Sequence, residues 1–182
     1  MNKAFTKESD YDELAEVIVQ PVDPLPPDAP NYITPTGAVR VRQELRRLID
    51  EERPALEAQA GPGQESDGAR DNESKTKARK KLAEIKALIW FLEDHVRRFE
   101  IVEATGQGGD IVRFGARVTV LNGEGEQRTY LICGVDEAEP EADAVSWISP
   151  IAKALLGREI GDEVTLRLPR GAQVLEVMEI EY

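Results

Sequence analysis

Cysteine and histidine are almost missing from this chain. Its 182 residues include one cysteine, Cys133, and one histidine, His95. A lone thiol excludes an internal disulfide and fits a reducing cytoplasm, which sets the expected localisation. With so few thiols and imidazoles, no metal-finger spacing exists. No apolar run approaches the roughly 20 residues of a membrane helix, so no membrane partner is expected. The polar, acidic start, Met1 to Asp12, does not read as a secretory signal. Basic charge is also short: 23 Lys and Arg stand against 35 Asp and Glu, for a net charge of −12. Phosphate contacts need a basic face, so independent sequence-specific DNA binding is not expected.

What charge there is has a pattern. Residues 1–30 are acidic and carry five prolines, residues 31–100 are nearly neutral, and residues 101–182 are acidic again. The prolines fix extended backbone and withhold donors, so residues 1–30 read as a disordered tail, with a short helix possible near Asp10–Val19. From Thr34 a helix is expected, capped by Thr34 and opened by Pro35. Ala38, Val41, Leu45 and Leu48 follow on one stripe. Pro54 should kink this helix or free a carbonyl, and Gly61-Pro62-Gly63 should end it. In a second helix, Ala78, Leu82, Ile85, Ile89, Leu92, Val96 and Phe99 hold strict 4-3 spacing, which is a coiled-coil seam. Two such helices on a short linker favour an antiparallel hairpin.

Beyond Gly106–Gly109 the period becomes two. Val112, Phe114, Ala116, Val118 and Val120 alternate with smaller or polar residues, and Asn122-Gly123 signals a hairpin returning along Thr129–Val135. Pro150–Leu156 reads as a short helix closed by Gly157. Glu163–Leu168 and Gln173–Glu181 read as a last hairpin about Pro169-Arg170-Gly171. The fold class is α+β: a coiled-coil hairpin over 31–104 with its tip near 61–74, then a sheet-plus-helix domain over 105–182.

Several motifs stand in one order: Tyr32-Ile33-Thr34-Pro35-x-Gly37, Glu51-Glu52-Arg53-Pro54, Lys80-Lys81-Leu82-x-Glu84-Ile85, Ser149-Pro150-x-Ala152-x-Ala154-Leu155-Leu156, Gly161-Asp162, and the closing Ile180-Glu181-Tyr182. On these residues the chain resembles the GreA/GreB family of transcription elongation factors, and GreB more closely. The resemblance implies that the second domain is FKBP-like. It further implies that the hairpin enters the secondary channel of RNA polymerase and promotes cleavage of backtracked RNA. The chain would then be no enzyme itself. It would bind no cofactor alone and would share Mg²⁺ with the polymerase active site, beside the 3′ end of the nascent RNA.

In that family two carboxylates lie in a Gly-Asp-x-Ser-Glu-Asn-Ala-x-Tyr tip motif. Here Asp71-Asn72 falls on its Glu-Asn, one methylene shorter. Gly68 falls on the family's Asp, and the nearest carboxylate, Asp67, comes one position early. Arg70, Glu73 and Lys75 replace the Ser, Ala and Tyr. The resemblance therefore assigns catalysis and the shared metal to Asp71 and Asp67. It assigns RNA steering to Lys75, Lys77, Arg79, Lys80 and Lys81, and polymerase docking to Ile148, Ser149 and Pro150. Ile148 stands where family members often carry an Asp.

Blander readings accompany each assignment. Acids such as Glu65, Asp67, Asp71 and Glu73 commonly form a solvated loop, and a basic run is commonly a solvated helix face. Trp90 and Phe91 flank the seam and should pack at the hairpin base. Trp147 should pack at the core or its rim. His95 has no catalytic neighbour in sequence, and Cys133 in a strand reads as an inert buried thiol. Two rival functions remain: a regulator that occupies the same channel without stimulating cleavage, and a folding helper. The second lacks any aromatic-lined isomerase pocket in the sequence.

Overall fold

The computed structural model describes residues 21–26, 29–61, 69–104, 109–139, 142–168 and 171–182, with backbone only at 69–72 and 168. The possible helix near Asp10–Val19 lies outside these residues. The fold mixes helix and sheet. Two compact units emerge, one built on Arg46–Phe91 and the other on Asp23–Leu45 with Leu92–Tyr182.

The smaller unit is helical and begins at the last residues of helix α1 (Pro35–Arg47), which runs into a π-helical turn at Leu48–Glu52, then α2 (Arg53–Ala60). The turn has a local cause. Pro54 has no N–H to offer the carbonyl one helical turn back, and the backbone takes up the wider i to i−5 pairing just before it. Accordingly the Arg53 N–H donates to the Leu48 carbonyl. Gly61 stops α2 with φ of 63°. Helix α3 spans Ala69–Arg97. Three of the 4-3 positions on α3, Ala78, Ile85 and Ile89, are buried, as are Leu48, Leu56 and Ala60 on the other helical segment. Ion pairs Lys81–Glu52 at 3.2 Å and Lys86–Glu57 at 3.3 Å flank it. Trp90 differs from expectation. It is 67% exposed, because it stands one residue, about 100° of helix, beyond the seam position Ile89.

The larger unit holds both sheets. Strand β1 (Asn31–Ile33) pairs in parallel with β2 (Phe99–Ile101). Ile33, Ala38 and Val41 are buried beside Leu92, Val96 and Phe99, and Phe99, expected on the second helix, instead begins β2 because α3 ends at Arg97. A five-stranded sheet follows in the order β5-β4-β3-β7-β6. Its strands are β3 (Arg117–Asn122), β4 (Gln127–Cys133), β5 (Ala144–Ser146), β6 (Glu163–Leu168) and β7 (Gly171–Glu181). The β4–β5 pair is parallel and the other pairs are antiparallel. The Asn122 turn closes with Asn122 Oδ1 accepting from the Glu124 and Glu126 N–H groups. Helix α4 (Pro150–Leu155) covers one face with Ala152 and Leu155, both fully buried in a core that includes Val118, Ile132 and Val177.

Both ends of the helical segment join the sheet unit, because β1–β2 pairing and side-chain ties to a 3-10 turn at Val135–Glu137 hold them there. Of the proline-rich stretch, residues 21–26, 29 and 30 are described. Leu25 is only 7% exposed. Two side chains anchor this stretch, which composition alone does not reveal.

Candidate functional site

The tip comes first, since the sequence places its chemistry there. Asp67 lies outside the described residues. Asp71 stands in the first turn of α3, which begins at Ala69. Among the described residues no group of three or more His, Cys, Asp or Glu is placed to hold a metal. Further along α3, Lys77, Arg79, Lys80 and Lys81 are exposed and Lys75 is half-buried. Lys77 pairs with Glu73 at 2.7 Å. Lys81 and Arg47 both reach Glu52, and the Lys81 hydrogen bond is the larger cause holding its carboxyl below the usual range. Such exposed pairs add little stability.

The expected docking residues sit where β5 meets α4. Ser149 caps α4: its Oγ accepts from the Ala152 N–H at 3.2 Å, and Pro150 takes the first helical position, where a missing donor is harmless. The Ile148 N–H donates to Ser146 Oγ at 3.3 Å. Trp147 packs as expected, with its ring 5.4 Å from that of Tyr32 and against the main core.

The Tyr32 to Gly37 motif is explained by a buried carboxylate. Glu137 is 7% exposed. It accepts from the Thr34 N–H and the Gly134 N–H, each at 2.9 Å, and from the Thr34 hydroxyl. Gly37 lies against that carboxylate with no room for a side chain. Arg40 completes the fastening, donating to the Glu137 carbonyl at 3.0 Å and pairing with Glu139 at 2.6 Å. Beside it lies a cleft of about 1050 Å³. Its lining includes Arg40, Arg117, Glu103 and Glu181, with Tyr182 the single aromatic, so it is no isomerase-type apolar pocket.

Sequence reading missed a second polar cluster. His95 is 1% exposed. Its Nδ1 lies 2.8 Å from Asp136 Oδ1, and Asn31 Nδ2 donates to Asp136 Oδ2 at 3.1 Å. No local motif announces it, since His95 and Asp136 are 41 residues apart. Cys133 is the inert thiol expected: 1% exposed, and pushed up to about 12 by burial and then by Glu137.

A family model described as "Transcription elongation factor, N-terminal" matches residues 31–101, and one described as "Transcription elongation factor, GreA/GreB, C-term" matches residues 107–182. The transcription elongation factor GreA of Rickettsia canadensis is 36% identical over 151 residues, covering 82% of this chain and 93% of that one. The chain belongs to the GreA/GreB family. It is a Gre-type transcription elongation factor. A GreB from Neisseria meningitidis is 34% identical over 157 residues, covering 84% of this chain and 94% of its own, so Gre relatives of both names lie equally near. The crystal structure of the GreA factor homolog 1 (Gfh1) protein of Thermus thermophilus is 26% identical, covers 85% of this chain and 100% of that one, and superposes with a TM-score of 0.37.

Proposed function

We propose that this Gre factor binds RNA polymerase in the cytoplasm, inserts its helices into the secondary channel as a coiled-coil hairpin, and promotes cleavage of backtracked RNA. In this reading residues 31–104 are the hairpin and residues 105–182 an FKBP-like domain that docks through Ile148, Ser149 and Pro150. The observation that carries it is membership of the elongation-factor family in both halves, with a carboxylate, Asp71, at the start of α3. Asp71 and Asp67 are assigned as ligands to Mg²⁺ held by the polymerase, an ion that suits one or two carboxylates while keeping its waters. The ion's contribution is to activate water and stabilise an in-line displacement at the RNA. The factor itself catalyses nothing alone. Its exposed lysines and Arg79 draw the transcript's 3′ end electrostatically.

A stalled, backtracked complex of the cognate polymerase tests this. Added factor with Mg²⁺ shortens the transcript from its 3′ end if the reading holds. One sequence observation favours a second reading: Gly68 replaces a family carboxylate and Asp71 is a methylene short. Slowed elongation without cleavage in the same assay selects a regulator that occupies the channel.

A further inference from the structure

We propose that Asp23–Pro26 is a clasp that locks the end of α3. This goes beyond the elongation-factor reading and stands apart from it. The family match begins at residue 31, so the clasp is an addition of this chain to the matched region.

The segment has two anchors. Asp23 Oδ2 accepts from Arg98 Nη2 at 2.7 Å and lies 3.5 Å from His95 Nε2. Asp23 Oδ1 accepts from the Leu25 N–H at 2.9 Å, turning the buried Leu25 side chain inward. An extended proline segment makes no ladder of its own, so it gains order only from such anchors. Pro24 and Pro26 lower the entropy lost on docking. Partial burial works against the Asp23 carboxylate, yet hydrogen bonds from Arg98 and Leu25 and the nearness of His95 hold its carboxyl below the ordinary range.

The far side of His95 explains what the clasp locks. Its Nδ1 meets Asp136, which also takes the Asn31 amide. Asp23, His95, Asp136 and Asn31 therefore link the N-terminal segment, α3, the turn at Val135–Glu137 and β1. A neutral imidazole donates from one nitrogen only. The ring is held through Nδ1 by Asp136, and Asp23 lies 3.5 Å from its other nitrogen. Asp23 and Arg98 are themselves 34% and 41% exposed, so the latch is ionic and reachable by water while the histidine beneath is not.

Hydrogen exchange on the full chain tests the clasp. Amides of Leu92–Ile101 are compared among the native protein, Asp23→Ala, Leu25→Ala, and truncations lacking residues 2–22 or 2–26. The expected result is native protection without residues 2–22. Exchange should be about tenfold or more faster without residues 2–26, and intermediate in the two point variants, as for release of a local opening unit. Asp23→Ala combined with Arg98→Ala should be non-additive, as contacting residues are. Native protection after loss of residues 2–26, loss already after 2–22, or strict additivity overturns the proposal.

Discussion

Gly37 leaves the space that the Glu137 carboxylate fills: a methyl carbon on Gly37 would overlap Glu137 Oε1. Gly37→Ala should therefore displace the carboxylate from the Thr34 and Gly134 N–H groups. Overpacking of this kind costs about 1–3 kcal/mol, with buried donors left unpaired as a further loss. Urea unfolding should show the midpoint falling at an unchanged slope. An unchanged midpoint would remove Glu137 from its role as the fastening of this motif.

The seam gives a graded series. Ile85 and Ile89 are each 6% exposed, and truncation of either to Ala should cost about 2–5 kcal/mol. Leu82 is half-buried and should lose less. Trp90→Ala should stay within about 0.5 kcal/mol, as an exposed substitution does. Chemical denaturation of the four variants orders them, and a large loss at Trp90 would contradict the helix phase.

Cys133 offers a pH-resolved probe. Burial, and then Glu137, push its thiol up to about 12, and its Sγ lies 3.5 Å from the Val145 carbonyl. Only the thiolate reacts with a disulfide reagent. A raised value keeps the thiol protonated through neutral and mildly alkaline pH, so the folded protein should stay unlabelled at pH 8. Denaturant should release the label at the rate of unfolding. Rapid labelling of folded protein would mean that β4 opens locally.

At the tip, cleavage by the native chain should be weak and should fall with Asp71→Ala and with Asp67→Ala. Gly68→Asp combined with Asp71→Glu should raise it by restoring the family pattern. The measure is the rate of RNA shortening on one backtracked complex with Mg²⁺ present. Loss in neither alanine variant would leave the non-cleaving regulator as the better account.

What the sequence made legible follows from range. The seam of α3 and the final hairpin were readable because period and turn residues are local signals. Gly37 was visible as a motif, but the reason for it, Glu137, lies 100 positions on and only the fold brings the two together (137 − 37). His95 looked inert for the same reason. Its partner Asp136 is 41 residues away, and Arg98 reaches Asp23 across 75. At Asp23 and Leu25, proline content gave no sign of the pairing with Arg98 or of the burial. Parallel pairing of β1 with β2 had no local signature at all.

The π-helical turn before Pro54 also settles a matter of arithmetic. From Leu48 to Leu56 is eight positions (56 − 48), which in a regular α-helix is about 800° and leaves the two leucines about 80° apart. A π turn absorbs one extra residue, so the rotation becomes about 700° and the two fall within about 20°. Both are buried, as is Ala60. The chain thus carries one residue more than its helix has use for. Deleting exposed Asp50 or Glu51 should regularise the backbone without turning Leu56 away from its neighbours, whereas adding a residue there should not be absorbed. Length, at this one place, is a variable the helix has already learned to correct.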